Sequence, residues 1–262
     1  MGNCLGSPAP PDYFDLEGAR LEQRNTQNLI STSLKAFSLE EIETITKDFH
    51  VDNLIRTYFP YFVFKGWINK KTLAPSTPET GMAVAVNKMQ PDCFPGNQTE
   101  WLEKIIHLSK LHHPNLVKLI GYRLENEWEK FSPYHWYLVS TFQYRGNLDN
   151  YLYGREGTRA LSWEKRMKVA IGAAKGLSFL HDAQPEVIYR YLDATNILLD
   201  DDYTPKLSAY LSTQVRDIQG YALKDYLSPG YSSLGYAAPE FVDTRYRCNN
   251  RHSFIKKSSL FL

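Results

Sequence analysis

Hydrophobic positions along the chain change period several times, and each change marks an element. Leu39, Ile42, Ile45 and Phe49 recur at near-helical spacing behind Ser38 and Glu41, a pair three residues apart that fits a capping box, so a short helix is predicted there. Phe62–Ile68 and Met82–Val86 are runs rich in β-branched and aromatic residues, separated by a Pro/Thr/Ser loop over 72–80. They are predicted to be neighbouring antiparallel strands. Between Thr99 and Leu111, Trp101, Ile105 and Leu108 recur at i, i+4 and i+7, with Asn97 available as a cap, which predicts an amphipathic helix. Leu116–Ile120 and Trp136–Val139 read as two more strands. Trp163, Met167, Ala170, Ala174 and Leu177 then mark a long helix whose small residues suit close packing, followed by β-rich turns at 187–189 and 197–199. Strands first and helices second imply an α+β architecture in two lobes. Residues 1–36, rich in Ser, Pro, Asn and Gln without a sustained period, read as a flexible arm.

Composition excludes several classes. With 43% hydrophobic, 14% aromatic and 23% charged residues, the 262-residue chain has the make-up of a globular protein with a real core. Its net charge of +1 lacks the electrostatic footprint of a dedicated nucleic-acid binder. Cys4, Cys93 and Cys248 are odd in number and far apart, which supports neither a disulfide framework nor a zinc site. No apolar run approaches the ~18–20 residues of a membrane span, so any attachment is expected to be peripheral. From Thr244 onward five basic residues meet no acid, giving +5, against 25 − 29 = −4 for the preceding chain. Such a tail reads as disordered, the alternative being that it assists a lipid anchor at an anionic membrane.

Four strings carry a family resemblance. Val63-Phe64-Lys65-Gly66-Trp67, Leu111-His112-His113-Pro114-Asn115-Leu116-Val117-Lys118-Leu119-Ile120-Gly121-Tyr122, Met167-Lys168-Val169-Ala170-Ile171-Gly172-Ala173-Ala174-Lys175-Gly176-Leu177 and Gly235-Tyr236-Ala237-Ala238-Pro239-Glu240 resemble the plant receptor-like cytoplasmic kinases of group VII. The likeness is collinear from Phe37 to Thr244. It implies a protein-kinase-like bilobal fold, with the arm at 1–36, an N-lobe with a leading helix at 37–141, a partial C-lobe at 142–244 and a divergent basic tail at 245–262. On this reading the family's last C-lobe helices are absent and the lobe is incomplete.

The resemblance also locates the catalytic parts, and several are altered. Arg56, Tyr58 and Tyr61 fall where the family's phosphate-covering loop has glycines, which let the backbone approach phosphates without a Cβ in the way. Bulky side chains there are expected to fill the nucleotide's space. Asn87 stands at the phosphate-holding lysine, and Lys88 points to the opposite face of the strand. Lys104 stands at the helix glutamate, where it reads as a solvated or locally paired lysine, with Glu103 about 100° away round the helix. In Tyr189-Arg190-Tyr191-Leu192-Asp193-Ala194-Thr195-Asn196, Arg190 and Asn196 match the family pattern, but Tyr191 replaces the catalytic aspartate and Asp193 a phosphate-contacting lysine. Ala209 replaces the metal-binding aspartate and offers no oxygen to a hard cation. Asp200-Asp201-Asp202 reads as a solvated charge run and Asp193 as a turn aspartate.

A pseudokinase is therefore expected, with no cofactor and no metal, acting as an adaptor, regulator or decoy in plant receptor and immune signalling. Receptor-like kinases or immune-signalling proteins are the implied partners, and nucleic acid is not. Met1-Gly2-Asn3-Cys4 resembles the family's lipidated start, with myristate on Gly2 and palmitate on Cys4, two chains being needed for stable anchoring. The implied location is the cytoplasmic face of the plasma membrane. Ser233 matches a family Thr/Ser position and is the candidate phosphosite. The alternatives are an unusual Ser/Thr kinase that uses ATP and Mg with displaced lysines and carboxylates, and a truncated, nonfunctional gene product.

Overall fold

A computed structural model describes residues 34–58, 61–90, 98–125, 135–152, 159–183, 187–189, 192–208 and 213–215. All of them belong to one unit, Ser33–Leu262. The arm up to residue 32, the Ser233 segment and the basic tail lie outside the described residues.

Six strands form the first sheet: β1 (Lys35–Ala36), β2 (Leu54–Tyr58), β3 (Tyr61–Ile68), β4 (Met82–Met89), β5 (Leu119–Leu124) and β6 (Trp136–Thr141). Their spatial order is β1-β5-β6-β4-β3-β2. Only β1 and β5 pair in parallel; the other neighbours are antiparallel, as expected for β3 and β4. The strand expected at Leu116–Ile120 begins only at Leu119 and runs on to Leu124. Leu116 and Val117 are buried, but their backbone pairs with Leu207 of a distant strand and not with this sheet. The arm likewise ends earlier than its composition implied: Leu34 is buried and Lys35–Ala36 pair with Gly121 and Tyr122. Two residues are too few to show a period.

Alternation along β4 sends successive side chains to opposite faces. Val84 and Val86 join Phe37, Ile68, Ile120, Tyr137 and Val139 on one face, where Ile42 and Ile45 of α1 (Leu39–Thr46) pack. The capping box of α1 is formed: Ser38 Oγ accepts from the Glu41 amide at 3.1 Å, and the Ser38 amide donates to Glu41 Oε2 at 2.9 Å. Gly66 lets α1 approach, since a Cβ there would meet the Ile45 backbone carbonyl at 2.5 Å. Phe49 does not continue the helix. Lys47, Asp48 and Phe49 adopt left-handed backbones, with φ of 54°, 52° and 54°, and return the Phe49 ring to the sheet against Tyr137 and Phe64. α2 (Gln98–Ser109) covers the other face, where Trp101 packs on Trp136 with ring centroids 5.1 Å apart.

The second half holds α3 (Leu148–Leu152), α4 (Trp163–His181) and two short sheets, β7 (Val187–Tyr189) with β10 (Thr213–Val215) and β8 (Ile197–Leu199) with β9 (Pro205–Leu207). The length of α4 agrees with the expectation, but its buried side does not follow Trp163 and Met167, which are exposed together with Ile171. Val169, Gly172, Ala173, Gly176, Leu177 and Leu180 form the inward face instead. Apolar residues recur at helical spacing on both sides of α4, and periodicity cannot choose between them.

Candidate functional site

The site expected from the sequence lies between the six-stranded sheet and the loop 192–196, and its residues are described in part. Asn87, near the end of β4, is 3% exposed. It shares its face with Leu138, its register partner on β6, and its Nδ2 donates to the Leu138 carbonyl at 3.3 Å. Lys88 leans the other way, its Nζ 4.4 Å from the centroid of the Phe49 ring on the α1 face. On α2, Lys104 is half-buried whereas Glu103 is exposed.

Asp193 is committed to its own loop. Its Oδ1 accepts from the Thr195 amide at 2.8 Å, from the Thr195 hydroxyl and from the Asn196 amide at 3.1 Å, an aspartate-capped turn. Asn196 is half-buried, and its carbonyl accepts from the Ser208 amide at 3.1 Å, which joins the loop to the end of β9. Arg190, Tyr191 and Ala209, the other catalytic positions singled out by sequence, lie outside the described residues, as do Gly2, Cys4 and Ser233.

The phosphate-loop positions occupy the sheet's edge. Arg56 pairs with Val63 in a β2–β3 register that shifts between Leu54 and Arg56, and Tyr61 pairs with Tyr58 and with Met89. Tyr58 is placed by its backbone, and Tyr61 is half-buried at the start of β3. Arg56 does something that no local pattern indicates: its Nη1 donates to the Thr195 carbonyl at 3.1 Å, 139 residues along the chain. Nothing near Arg56 in the sequence marks Thr195 as its acceptor.

The acidic turn 200–202 is engaged locally. Asp202 accepts from Thr204 and pairs with Lys168 at 3.1 Å, contacts that hold its carboxyl down at about 2. Asp200 lies 3.7 Å from Lys206. Among the described residues, no three His, Cys, Asp or Glu side chains come together as metal ligands, and no helix is long and apolar enough to cross a membrane.

The two halves are joined at Asn115. Its Nδ2 donates to the Pro205 carbonyl at 2.9 Å, its carbonyl accepts from the Leu207 amide at 2.8 Å, and the Val117 amide donates to the Leu207 carbonyl at 3.0 Å. His113 stacks on Phe179 of α4, which seats the same loop on the helical half.

A strand-rich half with one helix against its inner face, a helical half with short strand pairs, and a polar loop between them define a protein-kinase-like fold. The family model described as protein tyrosine and serine/threonine kinase matches residues 62–253, and the chain belongs to this family. The match runs nine residues past Thr244. Among curated proteins of Arabidopsis thaliana, the chain is 45% identical to probable serine/threonine-protein kinase PBL11 over 221 residues, covering 79% of the chain and 54% of that protein. It is 39% identical to serine/threonine-protein kinase BIK1 over 263 residues, covering 88% and 65%. To probable serine/threonine-protein kinase PBL3 it is 41% identical over 231 residues, covering 83% and 52%. The chain therefore spans between about half and two thirds of the length of these relatives.

Proposed function

We propose that the chain is a pseudokinase, a kinase-family protein that does not transfer phosphate. It would work as an adaptor, regulator or decoy in plant receptor and immune signalling, with receptor-like kinases or immune-signalling proteins as partners. Lipid on Gly2 and Cys4 would hold it at the cytoplasmic face of the plasma membrane.

Asn87 carries the reading. A buried amide bonded to the Leu138 carbonyl supplies no positive charge where nucleotide phosphates would need one. The described residues fit Mg-ATP poorly in two further respects. Arg56 spans from β2 to the Thr195 carbonyl where the family's glycines leave room, and the Asp193 carboxylate is spent on its own turn. Tyr191 supports the same reading chemically, because a phenol with a reference pKa near ~10 is a poor proton acceptor at neutral pH. Lost acid–base help alone is worth roughly 10²–10⁴ in rate.

A thermal melt of the full chain with and without Mg-ATP tests this. A cooperative transition that nucleotide leaves in place, with no radiolabelled phosphate passed to itself or to a generic protein substrate, is the expected result. A Mg-ATP-dependent rise in the midpoint together with phosphate transfer would overturn it. One observation favours the competing reading of an unusual Ser/Thr kinase: Lys104 is half-buried on α2, whereas Glu103 is exposed. That reading requires phosphate transfer that disappears in Lys104→Ala.

Ser233 is proposed as a site modified by an active partner kinase. Phosphopeptide mapping after incubation with an active family kinase checks it, and an unmodified segment refutes it.

A further inference from the structure

We infer that Arg56 is an internal latch, a side chain of the phosphate-covering strand that ties the sheet to the catalytic loop in place of a bound nucleotide. Three observations carry this. The first is reach: the Arg56 guanidinium leaves β2 and donates through Nη1 to the main-chain carbonyl of Thr195 at 3.1 Å, which joins elements 139 residues apart. The second is mounting at the donor end. The β2–β3 register shifts between Leu54 and Arg56, and such an irregularity re-aims the side chain that follows it.

The third is mounting at the acceptor end. The Thr195 and Asn196 amides and the Thr195 hydroxyl all donate to Asp193, and the Asn196 carbonyl accepts from Ser208. The Thr195 carbonyl is thus presented by a loop braced on both sides. Asp193, which has no evident use in chemistry here, gains one in this arrangement, because it holds the acceptor in place. A charged donor on a neutral carbonyl makes a stronger hydrogen bond than two neutral groups do, and a half-buried site protects it from water.

The latch rests on the reading of a cleft that functions without nucleotide, and one experiment separates the two. Amide hydrogen exchange is followed by mass spectrometry on the full chain, on Arg56→Ala and on Thr57→Ala, a change at the exposed neighbouring position. In Arg56→Ala, segments 54–58 and 192–196 should lose protection together by roughly tenfold or more, the change that loss of a charge-assisted hydrogen bond predicts. The 169–180 stretch of α4 should keep its protection, and Thr57→Ala should match the parent chain. Unchanged exchange in either cleft segment of Arg56→Ala overturns the latch, and so does an equal acceleration throughout α4, which would mean general loosening. If added Mg-ATP protects the parent's cleft, the reading of a cleft that functions without nucleotide fails, and the Arg56→Ala comparison still decides the latch.

Discussion

Asn115 holds Pro205 from a distance of 90 residues: its Nδ2 lies 2.9 Å from the proline carbonyl in a buried contact. Proline has no amide proton to give, so at this end of β9 the strand offers acceptors only, and a side-chain amide supplies the donor. The same residue accepts from the Leu207 amide, so Asn115 acts as an extra strand edge for β9. Through it, the loop that follows α2 grips the helical half.

Replacing Asn115 with Ala leaves the buried Pro205 carbonyl without this donor, and replacing it with Asp keeps the shape but turns an acceptor towards an acceptor. Each change should lower unfolding stability, Asn115→Ala by about 1–3 kcal/mol and Asn115→Asp by more. Urea unfolding at neutral pH measures it. An Asn115→Ala midpoint equal to the parent's would mean that water replaces the bond without cost.

Gly172 sits beneath the same contact. A Cβ on it would meet Pro205 Cγ at 2.5 Å and Asn115 Nδ2 at 2.9 Å, and a proline ring cannot rotate away. In an exposed helix Gly→Ala stabilises by about 1 kcal/mol. Here overpacking costs about 1–3 kcal/mol and should reverse the sign, so Gly172→Ala should unfold at a lower denaturant concentration than the parent chain.

Glu125 and Tyr137 set a pH window. Burial opposes ionisation of Glu125, but hydrogen bonds from His135 and from the Tyr137 hydroxyl outweigh it and hold the carboxyl below its ordinary value. This stabilisation is complete above the unfolded value near ~4.3 and is lost as pH falls through the lower folded value. Tyr137 shifts upward, through burial first and then through the Glu125 charge. Its contribution is therefore complete below ~10 and is lost as pH rises above that. Tyr137→Phe should cost about 1 kcal/mol at neutral pH, make the acid limb of the stability curve shallower and flatten part of the alkaline limb. Melting curves from pH 3 to pH 11 compare the two chains. Parallel profiles would show that the pair does not control either limb.

Membrane attachment through Gly2 predicts recovery of the full chain in the membrane fraction and its loss from that fraction in Gly2→Ala. Cys4→Ser should leave weak, reversible binding, because one myristoyl chain alone holds only marginally. Partitioning that ignores Gly2→Ala excludes the lipid anchor.

Much of the fold is legible in local pattern. The Ser38–Glu41 capping box, the alternation of β3 and β4, and the lengths of α2 and α4 follow from neighbours within a few residues. At the site, the turn of Lys88 away from the face of Asn87 is legible for the same reason, since the strand period sets which way each side chain points. What failed depended on distant partners. Leu116 and Val117 look like strand residues until β9 is seen to take them, and Lys35–Ala36 gain their strand only from Gly121 and Tyr122.

By itself, then, the sequence determined which residue types stand at the positions that the family resemblance singles out: an amide at 87, a phenol at 191, an alanine at 209 and an arginine at 56. Side-chain chemistry is a property of each residue and needs no fold to be read. Only the tertiary structure decided what those residues touch. Asn87 turns to the Leu138 carbonyl and Arg56 to Thr195, because hydrogen bonds across 51 and 139 residues exist only once the sheet and the loop are folded against each other.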